Sequence, residues 1–112
     1  MTHNLNLHPL PFKLIKEGKK DIEMRLFDER RKNIEVGDHI LFTNNETNEE
    51  LEVVVISLKT FKDFEELYQN FDKQRLGYLE DEIANPKDMN LYYDDEIIKK
   101  YGVLAIEIEL IK

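Results

Sequence analysis

The stretch GKKDIEMR, residues 18–25, brings a lysine, a glutamate and an arginine close together in the chain. Arg25 offers a planar guanidinium fork that suits a phosphate, a carboxylate or the edge of a base, and Lys20 adds a mobile positive charge. Glu23 can accept two hydrogen bonds at once, as from the amino group and ring nitrogen of a base. From Asp21 to Phe27 polar and apolar residues alternate. An extended chain therefore carries Asp21, Glu23 and Arg25 on one face and Ile22, Met24 and Leu26 on the other. The plainer reading of the same residues is an Arg25–Glu23 ion pair on an exposed strand, contributing at most about 1 kcal/mol.

Other chemistry is sparse. The chain has no cysteine, which excludes disulfides, thiolate metal sites and cysteine nucleophiles. His3, His8 and His39 are scattered, without the close pairings that metal sites favour, so neither a metal ion nor a cofactor is expected. Thr43 and Ser57 lack companions for nucleophilic catalysis, and no glycine-rich loop suggests a triphosphate site. Tyr92 and Tyr93, beside Met89 and Asn90, could form part of a wall on which a base stacks. The plainer reading is that one of them packs in the core while the other faces solvent.

Charge narrows the partners. The net charge of −8 opposes tight, non-specific binding to long nucleic acid, which depends on neutralising phosphates. Its distribution is uneven: up to Lys32 there are 8 basic against 5 acidic side chains, and after it 8 against 19. A basic N-terminal patch on an acidic body favours a small or locally held anionic ligand over a long polyanion. The N-terminal residues MTHNLNLHPLPF lack the basic and apolar regions of a secretory leader, and no apolar run approaches the roughly 18 residues needed to span a bilayer. A cytoplasmic location and no membrane partner are expected.

The elements that must position the motif are legible. HNLNL alternates as a short strand, and Pro9 and Pro11 suit the first turn of a helix closed at Gly18. Strands follow at residues 21–27, at HILFTN after a VGD turn, and at LEVVVISLKTF, the last two joined through NNETNEE. Residues 61–79 carry Phe61, Phe64, Leu67, Tyr68 and Phe71 at helical spacings, and ANPKDMN interrupts that pattern. Asp94 to Gly102 has the charge order of a short helix, and VLAIEIELI alternates as a final strand. With 112 residues, the chain fits one domain with one core. Too few helices separate the strands for a doubly wound sheet, so a small barrel is expected, with Ile22, Met24 and Leu26 pointing into it.

Gly18, Lys20, Glu23 and Arg25 spell G-x-K-x-x-E-x-R, which resembles the signature of the ASCH domains, a family with a PUA-like β-barrel. The flanking FKLIKEGKK, RLFDERRKNIEVGDHILF and KYGVLAIEI are similar to that family as well. The resemblance implies an α+β fold: a small PUA-like mixed β-barrel of about five to six strands with flanking helices. Residues 1–112 would then form a single domain, with a helical insertion at about 61–100 before the last strand. It also implies binding of RNA or a nucleotide-like ligand in a cleft between barrel and helices, lined by the motif residues Lys20, Glu23 and Arg25; residues 61–95 match no motif of the family, and Tyr92 and Tyr93 join the expected ligand-binding set from their aromatic character alone.

Some small members of the family hydrolyse acetylated cytidine. The resemblance therefore carries a second possibility, an amidohydrolase acting on an acylated nucleoside with Lys20 and Glu23 as catalytic residues. A lysine begins near a pKa of about 10.4, so this role needs a depression of roughly three pH units. The deacetylating members carry threonine at the position of Glu23, and a carboxylate there stabilises the protonated lysine. Their later catalytic glutamate has no assigned counterpart among Glu65, Glu66, Glu80 and Glu82. A third possibility is a protein-interaction module working through its acidic body, Asp94, Asp95 and Glu96 included.

Overall fold

The structure, a computed structural model, describes residues 1–111. Five strands, β1 (Thr2–Leu7), β2 (Ile22–Leu26), β3 (His39–Asn44), β4 (Glu50–Phe61) and β5 (Val103–Leu110), form one sheet in the order β1-β3-β4-β5-β2. β1 runs parallel to β3 and the other pairs are antiparallel. The sheet curls into a half-barrel with flanking helices, the mixed α+β architecture of PUA-like domains. β1 and β2 are its two edges, and the Arg25 guanidinium on β2 donates to the Asn6 carbonyl on β1 at 3.0 Å.

Helix α1 (Pro9–Lys16) fills the barrel. Its prolines fall in the first turn, where no backbone donor is needed. Phe12 and Ile15 enter the inner core with Leu7, Ile40, Phe42, Val53 and Ile106. Gly18, at φ +77°, then takes the left-handed conformation that a side chain resists, and the amides of Lys19 and Lys20 donate back to the Leu14 carbonyl. This reversal delivers Lys20 to the start of β2.

The faces of β2 are the reverse of the sequence-based expectation. Met24 pairs with Ala105 and Leu26 with Val103, so Ile22, Met24 and Leu26 lie on the outer face of the sheet. Glu23 pairs with Ile106 and Arg25 with Leu104, which belong to the inner core. The expected apolar strip therefore does not line the barrel. It packs in a second core with Phe61, Phe64, Leu67, Leu76, Met89 and Ile98. Alternation separates two faces of a strand without ranking them, and here both are covered.

Residues 64–101 form the strap that covers the outer face. α2 (Phe64–Tyr68), α3 (Lys73–Leu76), a 3-10 segment (Pro86–Leu91) and α4 (Asp95–Tyr101) follow one another through short turns. The helix expected over 61–79 is thus two pieces. Phe61 ends β4, Asp63 caps α2 by accepting from the Glu66 amide at 2.9 Å, Asp72 begins α3, and Gly77 ends it at φ +110°. The apolar spacing was set by packing against the sheet, because helices this short are not stable alone. Each buried Phe or Leu contributes roughly 1.5–3 kcal/mol toward holding them.

A bulge on β4 between Val55 and Ser57 lets one extra residue, the exposed Ile56, drop out of register. Val53 and Val55 face the inner core before it, and Leu58 does so after it, paired with Ile106. Phe61 is consequently turned outward to the strap, paired with Val103.

Candidate functional site

Where the β1 and β2 edges meet the strap, a cleft of about 550 Å³ opens. Lys20, Glu23 and Arg25 line it together, as do Tyr92 and Tyr93, so the structure brings all five expected site residues to one place. Glu23 and Arg25 reach it from one face of β2, and Lys20 from the turn after α1.

The three charged groups are closely engaged. Glu23 Oε2 accepts from Arg25 Nε at 2.9 Å and lies 2.7 Å from Nη2. Lys20 Nζ donates to the carbonyls of Ile22 at 2.7 Å and Leu76 at 2.9 Å, and lies 3.5 Å from Glu23 Oε1. The side chains of Lys20 and Glu23 are only 4% and 7% exposed, so this is not the surface ion pair of the plainer reading. One donor and one acceptor remain: Arg25 Nη1 has no hydrogen-bond partner among the described residues, and Glu23 Oε1 has acceptor capacity beyond the distant Lys20 contact.

Protonation follows from these neighbours. Burial alone would raise the Glu23 carboxyl, but Arg25 and then Lys20 outweigh it and hold the group below the usual carboxylate range. Burial would likewise lower Arg25, and Glu23 reverses that. For Lys20 burial wins: its pKa falls below the ordinary lysine value, with Glu23 opposing and Arg25 adding to the fall. Lys19, in contrast, points to Glu17 at 3.4 Å. Against the burial effect stands geometry, since three oxygens surround Lys20 Nζ and only the ammonium form has three protons to offer them.

Tyr93 stacks on Phe64 with ring centroids 6.1 Å apart, and Tyr92 stands outward with its ring 5.8 Å from that of His8. One tyrosine thus packs and the other is exposed, yet both border the cleft. Sequence reasoning missed Tyr68, Tyr78 and Asp88, which also line it. Tyr68 read only as one member of an apolar helical stripe, and nothing in the sequence signals that three separate turns of the strap converge. Glu82 lines the cleft too, whereas Asp94 and Asp95 serve local structure: Asp94 caps α4 through the Ile97 amide, and Asp95 accepts from Asn90.

The cleft as a whole is not basic. Lys20 and Arg25 share its lining with Glu23, Glu82 and Asp88, and no other cation of the N-terminal excess lines it, Lys16 pairing with Glu49, Arg31 with Asp28 and Lys32 with Glu29. The expected anion-attracting patch is therefore not assembled at the site. A polar but nearly neutral aromatic cleft suits an uncharged heterocycle better than a phosphate.

No helix among the described residues is long and apolar enough to cross a membrane. Among solved structures, the crystal structure of the hypothetical protein PH0355 is 35% identical, with a TM-score of 0.84 over 99% of this chain and 100% of that one. The solution structure of protein PF0455 from Pyrococcus furiosus is 34% identical, with a TM-score of 0.72 over 100% and 99%. A mutant ZmASCH protein from Zymomonas mobilis shares the fold at 14% identity and a TM-score of 0.70, over 96% of this chain and 67% of that one. No curated protein matches the chain. The family model of the ASCH domain matches residues 5–112, nearly the whole length, and the chain belongs to the ASCH domain family.

Proposed function

We propose that this domain binds RNA or a nucleotide-like ligand by taking a base into the cleft, with Glu23 and Arg25 at its edge and Tyr92 and Tyr93 at its side. The observation that carries this reading is the buried Glu23 carboxylate, clamped on Oε2 by Arg25 and with acceptor capacity left on Oε1, in a cleft that Tyr92 and Tyr93 also line. A rigidly held acceptor in an aromatic-lined cleft matches an amino or imino donor on the edge of a base. The ASCH family is generally thought to bind RNA, which agrees with this reading. In an RNA strand the phosphates would lie outside the cleft, because its own carboxylates repel them.

Thermal denaturation with adenosine, cytidine and a short single-stranded RNA tests the reading. A ligand at about a hundred times its Kd stabilises by about 2.7 kcal/mol, a rise in Tm on the order of 10 °C. Arg25→Lys keeps the charge and loses the fork, and should reduce that rise by half or more. No rise with any of the three at millimolar concentration would contradict the proposal.

The amidohydrolase reading draws support from one observation, the fall of the Lys20 pKa on burial. It requires a neutral, reachable amine, whereas Lys20 Nζ is enclosed by the Ile22 and Leu76 carbonyls and Glu23. Glu23 as a general base would need a raised pKa, and its pKa is lowered. Chromatography of acylated cytidines incubated with the domain separates the readings: we expect no turnover, and deacylation lost in Lys20→Ala would favour the hydrolase.

A further inference from the structure

Apart from the Lys20–Glu23–Arg25 group, the strap brings a chain of hydroxyls to the same cleft. The hydroxyl oxygens of Tyr68, on α2, and Tyr78, just beyond α3, are 2.9 Å apart. Tyr78 Oη is also 2.7 Å from Asp88 Oδ2 and 3.2 Å from the Asn85 carbonyl. The two rings meet edge to face with centroids 5.9 Å apart, which fixes both hydroxyls in position.

Proton counting gives this chain a direction. Each tyrosine has one hydroxyl proton. The Asp88 carboxylate and the Asn85 carbonyl can only accept, so the Tyr78 proton is committed to them, chiefly to the charged Asp88. Tyr78 oxygen must then accept from Tyr68, which commits the Tyr68 proton as well. Tyr68 Oη is left with lone pairs and no uncommitted proton, an obligate acceptor toward the cleft that Tyr68 lines. Tyr68 and Tyr78 are partly exposed, Asp88 is exposed, and all three line the cleft.

We propose that the Tyr68–Tyr78–Asp88 chain is a specificity element that reads an exocyclic amino group on the bound base, with Tyr68 Oη accepting from that group. A base carrying a carbonyl at the same position would set oxygen against oxygen and leave both unsatisfied. This inference rests on the base-binding reading of the cleft and deepens it. The expected discrimination is about ten-fold or more, the range in which an unsatisfied buried polar group operates.

Calorimetric titration with two pairs of nucleosides, adenosine against inosine and cytidine against uridine, tests it. The natural protein should bind the amino member of at least one pair about ten-fold more tightly. Tyr68→Phe should abolish that ratio. Asp88→Asn should abolish or invert it, since the new amide can donate to Tyr78 and let the chain run the other way, with Tyr68 donating to the ligand. A merely structural role would weaken both members equally and leave the ratio intact, as judged against an unchanged apo Tm; that result overturns the inference, as does equal binding of both members by the natural protein. Binding with an unaltered ratio leaves the base-binding reading standing, whereas no binding of any of the four nucleosides overturns that reading and this inference together. Should Tyr68→Phe fold poorly, Asp88→Asn at the outer end of the chain decides the matter.

Discussion

The half-barrel and the strap are held by different means. The half-barrel is secured by continuous strand ladders around a core that includes Phe12, Phe42, Val53 and Ile106, with α1 packed inside. The strap consists of helices of five, four and seven residues and a 3-10 segment, lengths that have no independent stability. Beyond its apolar contacts, it is tied to the signature stretch. Arg75 forks onto Asp21 at 2.8 and 3.1 Å and reaches Glu107 at 2.8 Å, the Asp21 amide donates to the Arg75 carbonyl, and Lys20 donates to the Leu76 carbonyl. The signature stretch both latches the strap and lines the cleft. Lys20 holds the strap down through its Nζ while its ion-pair partner Glu23 lines the cleft, so under the proposed base binding, occupancy of the cleft and docking of the strap would be coupled through one buried group of charges.

The largest effect should come from removing the carboxylate at the seam. Glu23→Ala leaves Lys20 and Arg25 buried without their counter-ion, which costs about 3–5 kcal/mol. Thermal denaturation should show Tm lower by more than about 10 °C. A loss of only a degree or two would mean that the seam is wet and the two regions are independent.

Gly77→Ala acts from the strap's side. The glycine sits at φ +110°, and a Cβ would come within 3.1 Å of Lys20 Cδ. A cost of about 1–2 kcal/mol is expected from the backbone conformation, and amide exchange should quicken in residues 64–91 before it changes in β3 and β4. Uniform acceleration throughout would dissolve the distinction between the two regions.

Arg75→Ala should be milder. Arg75, Asp21 and Glu107 are 36%, 40% and 31% exposed at their side chains, and solvent screening limits such pairs to at most about 1 kcal/mol. The strap should nonetheless become more sensitive to limited proteolysis between α3 and the 3-10 segment while Tm moves by a few degrees.

The smallest effect belongs to the barrel alone and appears only in acid. Asp38 is held down to about 2 by its hydrogen bond with His3 and by the Glu35 amide. A carboxyl whose folded pKa lies below its unfolded value adds stability that is complete above the unfolded value, near pH 4, and is lost as the pH falls toward 2. Asp38→Asn should therefore flatten the decline of Tm between pH 4 and pH 2 and leave strap exchange at neutral pH unchanged.

Much of the frame is legible in the sequence because its signals are local. The alternation at Ile22–Leu26 and at His39–Asn44, the prolines before Phe12, Gly18 after α1, and Asp94 with Gly102 around α4 each act within a few residues of themselves. What could not be read locally is which face of β2 looks inward, since Ile22, Met24 and Leu26 are buried just as well beneath the strap. The bulge at Ile56 is equally silent, although it decides that Leu58 turns in and Phe61 turns out. Lys20, Glu23 and Arg25 could be found because they sit together on one short segment. Tyr68, Tyr78 and Asp88 could not, because only the interruptions of the helix around Asp72 and Gly77 bring them together.

The most direct test of base binding at the seam is a nuclear magnetic resonance titration of the nitrogen-15-labelled domain with adenosine. The account predicts shift changes concentrated in residues 20–25, around Tyr68 and Tyr78, and in residues 88–93, with the β3–β4 hairpin unmoved. Shifts confined to that hairpin or to the exposed lysines of α1, with the signature stretch silent, would contradict it.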